Sequence, residues 1–225
     1  MAWVLGYIAA DGCVMNYKNK PYFNLPSIDK ETLEKVKRAM DSEHPIHIQS
    51  KPGVRYFQTD GKYHYCSNTQ YQFLVSRRTI VEDLIKLGIT PRKSNTLQMP
   101  PVPQKYLRHF IRGYMDGDGF ISRTRNETKY KVRYCIITNL CSGSRNFLEA
   151  IKQATEKVGF KSGLHADKTA WQLVFCGEKF PKWLYKNKGN CYMERKFNKF
   201  QDLLAMRRVN RKGGARQTIM KTAFN

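Results

Sequence analysis

The alternation of apolar and polar residues divides the chain into short helices and short strands. Apolar runs over residues 3–10 and 110–115 are typical of buried helices, and each is followed by an Asp-Gly pair. Within the run from Phe120 to Asn139, basic and apolar residues alternate over residues 129–134 with the period of two that indicates a strand with one basic and one apolar face. Apolar residues spaced three or four apart predict further helices over residues 29–40, 79–87, 144–158 and 180–185.

These elements occur in the same order twice. Aligning Gly6 with Gly113 places Asp11 on Asp118 and Tyr7 on Tyr114. In both copies, two strands, a helix, two more strands and a last helix follow the first helix. The spacing between the copies drifts along the chain, as loops of different length would cause. We therefore predict an α/β (α+β) fold made of two pseudo-symmetric αββαββα halves.

Prolines and charge mark the boundaries between the parts of the chain. Residues 1–90 form the predicted first half, and residues 104–192 form the second. Between them, residues 91–103 contain four prolines and predict a stiff, extended linker. Residues 193–225 are rich in Lys and Arg, and predict a helix followed by a basic tail.

The charge balance indicates a polyanionic partner. The 225 residues contain 40 Lys and Arg against 18 Asp and Glu, a net charge of +22. Nucleic acid is the usual partner of so basic a globular protein, although a ribosomal-type protein would have a similar composition. The six cysteines form no C-x-x-C pair, which argues against a zinc site and favours a reducing, intracellular setting. We expect no membrane-spanning segment. The first helix begins so close to Met1 that we also expect residues upstream of it to have been removed.

Small residues recur four positions apart in each motif helix, at Gly6 and Ala10 and at Gly113 and Gly117. Such residues share one helix face, so two helices can pack there backbone to backbone. Packing of this kind brings Asp11 and Asp118 together at the helix ends. Two neighbouring carboxylates repel each other unless a cation neutralises them, and Mg²⁺ prefers such oxygen ligands. The alternative is that each Asp-Gly only terminates a helix, with the glycine in left-handed geometry.

The two segments resemble the LAGLIDADG motif of homing endonucleases in its two-copy, single-chain form. The first copy spans residues 4–12 (VLGYIAADG), and the second spans residues 111–119 (IRGYMDGDG). The resemblance implies motif helices at the interface between the halves and two sheets that form a DNA-binding saddle. It assigns metal binding to Asp11 and Asp118, with the backbone carbonyls of Ala10 and Gly117 as auxiliary ligands.

The resemblance also implies two or three divalent ions, normally Mg²⁺, for which Mn²⁺ or Ca²⁺ can substitute. Ala9 stands where the second copy has Asp116, and this departure leaves the metal-binding acids intact. Basic residues that help cleavage are expected after the last strand of each half, namely Arg77 or Arg78 and Lys179. Ordinary surface charge is the alternative for all three.

Alternate residues of the strands are the candidates for contacts with DNA, most of them to phosphates. In the first half the candidates are Asn16, Lys18, Lys20, Tyr22, Asn24, Gln49, Lys51, Arg55 and Gln58. In the second half they are Ser122, Arg123, Arg125, Lys129, Lys131, Arg133, Asn139, Lys161, His165 and Lys168. Asn24 and Asn139 are also candidates for positioning a nucleophilic water.

The expected function is therefore site-specific hydrolysis of both strands of a long, weakly palindromic DNA duplex, leaving short 3′ overhangs. One chain supplies both half-sites, so we expect a monomer. Two alternatives remain, an intron RNA maturase of the same fold and a DNA-binding regulator without cleavage activity. The presence of both acids favours the nuclease over the regulator. The expected location is the cytoplasm or nucleoid of a microbial or phage-infected host, or an organelle.

Overall fold

The computed structural model describes residues 1–57, 61–128 and 131–212. The elements of the first half are α1 (Ala2–Asp11), β1 (Cys13–Tyr17), β2 (Lys20–Ser27), α2 (Lys30–Ala39), β3 (Ile46–Ser50), β4 (Gly53–Phe57), β5 (Lys62–Cys66), β6 (Gln70–Val75) and α3 (Arg78–Lys86). Those that follow are α4 (Leu107–Asp118), β7 (Gly119–Thr128), β8 (Lys131–Ser142), α5 (Arg145–Glu156), β9 (Gly163–Asp167), β10 (Ala170–Cys176), α6 (Lys179–Tyr185) and α7 (Glu194–Lys212).

Each half is built around an antiparallel four-stranded sheet. The strand orders are β1-β2-β6-β3 and β7-β8-β10-β9, so the two sheets have the same topology. In both, the first hairpin supplies an edge strand and a central strand, and a helix then leads to the other edge strand. This repeat confirms the predicted pair of αββαββα halves.

The two faces of each sheet differ in what covers them. One face packs against the helices and carries buried residues such as Val14 and Phe23 in the first half and Leu140 and Leu173 in the second. The opposite face, which we call the open face, carries the residues in between. Its members include Met15, Tyr22, Asn24, Phe120, Ser122 and Asn139.

The first half contains a pair of strands that the sequence pattern did not indicate. β4 and β5 form a two-stranded ribbon that extends the β3–β6 hairpin beyond the sheet. The register shifts between Ile48 and Ser50, where the ribbon departs from the sheet. Val54, Tyr63 and Tyr65 are between 66% and 73% exposed, so the ribbon lacks the apolar face from which sheet strands are recognised.

The motif helices α1 and α4 pack against each other through their glycines. A Cβ atom at Gly6 would overlap the carbonyl oxygen of Phe110, and one at Gly113 would overlap that of Trp3. The two contacts are reciprocal, as a pseudo-two-fold axis between the helices requires. Tyr7 and Tyr114 are buried beside this contact. The predicted backbone-to-backbone packing of the motif helices is therefore confirmed.

The segment between the halves contains more structure than an extended spacer. A 3₁₀ turn spans Lys93–Asn95, and both Lys93 and Leu97 are buried. After the second half, the start of α7 contacts the first half, where Arg195 pairs with Asp29 at 3.1 Å. In the part of the chain that the structure describes, no helix is long and apolar enough to cross a membrane.

Candidate metal centre

The two motif aspartates lie at the paired ends of α1 and α4. Asp11 is the last residue of α1, and Asp118 is the last residue of α4. A Cβ atom placed on Gly117 would lie 3.2 Å from Cγ and Oδ2 of Asp11. The carboxylate of the first half therefore lies directly against the helix end of the second half.

The glycines after the aspartates serve a different purpose from the one expected. Gly12 and Gly119 have extended backbones, with φ of −74° and −119°, rather than left-handed ones. A side chain at Gly12 would approach the carbonyl oxygen of Ile8 to 2.7 Å, and one at Gly119 would come within 2.8 Å of the backbone of Met115. Glycine is needed here because the chain turns tightly from helix into strand.

Burial and mutual repulsion shift the acidity of the pair. Burial, followed by the charge of Asp118, raises the pKa of Asp11 to about 6. Burial also raises the pKa of Asp118, while Lys93 and Lys196 oppose that shift. Carboxylates that resist ionisation in this way bind a cation with a gain in free energy, since the cation replaces lost hydration and cancels the repulsion.

Two buried lysines complete the centre, and neither stood out in the sequence. The Nζ of Lys93 donates to the carbonyl oxygen of Ala10 at 2.9 Å. The Nζ of Lys196 donates to the carbonyl oxygens of Met115 at 2.7 Å, Gly117 at 2.8 Å and Gly119 at 2.6 Å. Each lysine thus binds the carbonyl that immediately precedes a motif aspartate. Burial lowers the pKa of Lys196 to about 8, although Asp116 opposes the shift.

The basic residues expected at the centre lie elsewhere. Arg77 precedes α3 and lines a cavity with residues 40–44, while Arg78 and Lys179 are exposed at the starts of α3 and α6. None of the three is among the charges that shift the pKa of Asp11 or Asp118. The physical reason is the strand order: β6 and β10 are each two strands away from the strand that follows the aspartate, about 10 Å across the sheet. The basic side chains that do lie at the centre are those of Lys93 and Lys196.

Asn24 and Asn139 occupy equivalent positions next to the centre. Asn24 is paired with Cys13, and Asn139 with Phe120, in each case two residues after the motif aspartate. Both side-chain oxygens are buried without a hydrogen-bond partner among the described residues. Asn139 is only 2% exposed, so DNA can contact its side chain only from the open face, directly beside the two aspartates.

Asp116, the acid that the first copy lacks, has a structural role. Its Oδ2 accepts hydrogen bonds from Nε1 of Trp3 at 2.8 Å and from the backbone N–H of Met193 at 3.0 Å. It therefore ties α4 both to α1 and to the segment that leads into α7. Ala9, its counterpart, is buried at the same interface.

The oxygen atoms at the centre fit a hard divalent cation. Asp11, Asp118 and the carbonyls of Ala10 and Gly117 offer only oxygen atoms, which Mg²⁺ and Ca²⁺ prefer. Both carbonyls already accept a hydrogen bond from a lysine, so each has one lone pair left for a metal ion. Among the described residues, no group of three or more His, Cys, Asp or Glu side chains could hold a metal. A cation here would therefore depend on the two carboxylates together with carbonyls, water and substrate oxygens.

The strand register separates the expected DNA contacts into those on the open face and those elsewhere. Lys20, Tyr22 and Asn24 in the first half, and Ser122, Asn139 and His165 in the second, lie on the open face. Asn16 shares the opposite face with Val14, and Arg123 and Arg125 share it with Ile121, so these three expected DNA contacts do not lie on the open face. They lie near the hairpin ends, and the guanidinium of Arg123 lies 4.3 Å from the ring centroid of Tyr134.

The other candidates lie in turns, at strand ends or outside the described part. Lys18 and Lys168 are turn residues with positive φ, while Gln49, Lys51 and Lys161 are exposed at strand ends. Arg55 lies in β4 and donates to the carbonyl oxygen of Lys51. Gln58 and Lys129 lie outside the described residues, and the side chains of Lys131 and Arg133 are not described either.

Comparison with known proteins identifies the fold. Residues 105–189 match the family model of the LAGLIDADG-like domain. The LAGLIDADG meganuclease I-AabMI bound to uncleaved DNA superposes with a TM-score of 0.60 at 13% identity, over 94% of this chain and 92% of that one. The homing endonuclease I-WcaI bound to its DNA recognition sequence gives 0.56 at 12% identity, over 88% and 84%. I-SmaMI bound to an uncleaved DNA target with calcium ions gives 0.55 at 9% identity, over 95% and 94%.

Residues 105–189 thus match a LAGLIDADG-like domain, and the chain as a whole has the fold of the solved LAGLIDADG homing endonucleases. This confirms the resemblance stated from the two motifs. No curated protein sequence matches the chain.

Proposed function

We propose that this protein is a DNA endonuclease that hydrolyses both strands of a long, weakly palindromic duplex at the Asp11–Asp118 centre. The observation that carries the proposal is the meeting of two carboxylates and two buried ammonium groups at the paired ends of α1 and α4. Acidic groups suit a divalent cation, and ammonium groups suit the charge that develops on a phosphate.

Asp11 and Asp118, with the carbonyl oxygens of Ala10 and Gly117, would hold the cations. Bound Mg²⁺, or Mn²⁺ or Ca²⁺ in its place, supplies Lewis-acid polarisation of the phosphate and a more acidic water. The two carboxylates supply the negative charge that retains the ions, one from each half of the chain. Each half thus contributes equally to one composite centre.

Lys93 and Lys196 act on the same centre in two ways. Their hydrogen bonds fix the carbonyls that precede the aspartates, so the helix ends keep their geometry. Their charges lie close enough to shift the pKa of both carboxyl groups, and they stabilise the transition state beside a scissile phosphate. The unpartnered oxygens of Asn24 and Asn139 accept a hydrogen bond from a water and orient it.

The open faces of the two sheets would receive the duplex. Solved structures with this fold are bound to DNA, and the net charge of +22 suits a polyanion. Since α1 and α4 already join the two halves, the protein acts as a monomer. Short 3′ overhangs follow from the resemblance. Binding of intron RNA and the location inside a cell stay predictions of the sequence.

A cleavage selection tests the proposal. The protein is incubated with a randomised duplex library and Mg²⁺, cut molecules are captured and sequenced, and a parallel sample contains EDTA. We expect one long site to be enriched among the molecules cut on both strands, and only without EDTA. Enrichment of bound but uncut DNA would replace the proposal with a regulator. Enrichment of no duplex at all would favour an RNA-binding role.

A further inference from the structure

The strand register allows residues of the two open faces to be compared position by position. In the first sheet, Cys13 is paired with Asn24, and Asn24 is paired in turn with Leu74. The equivalent row in the second sheet is Phe120, Asn139 and Val174. The register is independent of the loop lengths, so it identifies equivalent residues even where the spacing between the two halves changes.

Three polar residues are identical in the two open faces. Asn24 matches Asn139, Gln72 matches Gln172, and His47 matches His165, since each pair has the same partners in the register. The other positions compared are different pairs of residues, namely Cys13 and Phe120, Met15 and Ser122, Tyr22 and Ile137, Leu74 and Val174, and Pro26 and Cys141.

The identical residues follow one diagonal across each sheet, from the central strand to the edge. In the second half the diagonal is joined by hydrogen bonds: Nδ2 of Asn139 donates to Oε1 of Gln172, and Nε2 of Gln172 donates to Oδ2 of Asp167. The ring of His165 continues the row on the edge strand, directly opposite Gln172. The diagonal begins beside the metal centre and leads away from it.

Packing does not explain why these residues are the same. Gln72 and Gln172 are half-buried on the open face, and His47 and His165 are exposed. On the buried face, Phe23 has Thr138 as its counterpart and Val75 has Phe175, whereas Leu25 matches Leu140 and Ser27 matches Ser142. The buried pairs that stay the same are explained by packing, but a surface residue that stays the same while its neighbours on the open face differ points to a common ligand.

We propose that Gln72 and Gln172 read the same base pair, an A·T pair, at symmetric positions in the two half-sites. The inference rests on the proposed function, since it assumes that the open faces receive a duplex. If both glutamines read an A·T pair, the target is palindromic at these two positions. At the other positions the open faces carry different residues, so we expect the target sequence to be asymmetric.

The chemistry of the glutamine amide favours adenine. An amide donates to N7 of adenine and accepts from its N6 amino group, which is a bidentate contact in the major groove. Gln172 keeps this capacity in spite of its two internal hydrogen bonds. One Nε2 hydrogen and one Oε1 lone pair remain available after the contacts with Asp167 and Asn139.

The test compares the sites that wild-type and variant proteins select from the cleavage library. We expect wild type to select an A·T pair at two positions symmetric about the cut. Gln72→Ala should lower the preference for A·T about tenfold at one of them, and Gln172→Ala about tenfold at the other. Gln72→Glu should shift the preference to C·G at its own position alone, because a carboxylate accepts from the cytosine amino group. A purely structural role for the glutamines would not produce that shift.

Met15→Ala and Gln153→Ala are the controls, since Met15 lies on the open face without an identical counterpart and Gln153 is an exposed glutamine on α5, away from both open faces. They should leave the preference at the symmetric A·T pair unchanged. A wild-type site that lacks the symmetric A·T pair, or glutamine variants that select the wild-type site unaltered, would overturn the inference and leave the nuclease intact. If wild type selects no duplex, the proposed function and the inference fail together.

Discussion

The two halves of the molecule present the same atoms at the metal centre but hold them in place differently. In the first half, Lys93 comes from the segment between the halves and binds a single carbonyl, that of Ala10. In the second half, Lys196 comes from α7 and binds three. Each half thus has a carboxylate, a carbonyl and an ammonium group at the centre. The ammonium groups, however, come from elements that are not equivalent in the two halves.

The same contrast holds two residues before the aspartate of each motif helix. Asp116 ties α4 to Trp3 and to the segment that leads into α7, whereas Ala9 only fills space in α1. The second helix end is therefore held by more polar contacts than the first. It follows that substitutions at equivalent positions should affect cleavage alike and stability unequally.

The largest difference is expected between the two lysines. Lys93→Met and Lys196→Met should each lower the cleavage rate about 100-fold, since each removes a charge beside the reacting phosphate. Lys196→Met should also lower the free energy of unfolding by about 3 kcal/mol, because it leaves three carbonyls without their donor. Lys93→Met should cost about 1 kcal/mol. Single-turnover cleavage and urea unfolding measure the two effects, with exposed Lys182→Met as the control. Equal losses of stability in the two lysine variants would contradict the contrast.

The glycine contacts are where the halves should behave alike. Gly6→Ala and Gly113→Ala should each destabilise the protein by about 3 kcal/mol, since each new methyl group overlaps a backbone carbonyl across the interface. Thermal unfolding of both variants tests this, beside Ala39→Gly at the end of α2. A loss below about 1 kcal/mol for either variant would mean that the helices do not pack backbone to backbone.

Asp116 should add a pH effect on stability that its counterpart Ala9 cannot produce. Burial raises the pKa of Asp116 to about 7, from an ordinary value of 3.8. The stability contributed by this protonated acid is present at low pH and is lost as the pH rises through about 7. Asp116→Asn should therefore be more stable than wild type by about 2 kcal/mol at pH 8, with the gain vanishing towards pH 4. Asp83→Asn, at an exposed carboxylate on α3, is the control. Urea unfolding across this range would refute the burial argument if the gain did not change with pH.

The smallest effect concerns the contact of α7 with the first half. Arg195 and Asp29 form an ion pair of 3.1 Å in which the arginine side chain is 55% exposed. Such pairs contribute little, so Arg195→Ala should cost about 0.5 kcal/mol. If its unfolding midpoint shifted as far as that of Lys196→Met, α7 would be held by the ion pair and not by the buried lysine.

The sequence was sufficient to predict the repeat, the pairing of α1 with α4 and the meeting of Asp11 with Asp118. These depend on glycines and acids at matched spacings, which are visible in the order of residues. Lys93 and Lys196 could not be found in this way, because one lies between the halves and the other beside Arg195 in a basic run. Only tertiary packing distinguishes them from surface charge. The β4–β5 ribbon was missed since its exposed aromatic residues give no alternation.

The account depends most directly on the claim that Asp11 and Asp118 belong to one centre to which each half contributes. The measurement is double-strand cleavage and DNA affinity of Asp11→Asn and Asp118→Asn, side by side on the selected target with Mg²⁺. Each substitution keeps the size of the side chain and removes one of the two charges that hold the cation. We predict that each variant loses double-strand cleavage while its affinity for the target stays within about threefold of wild type. Full cleavage of both strands by either variant would contradict the account.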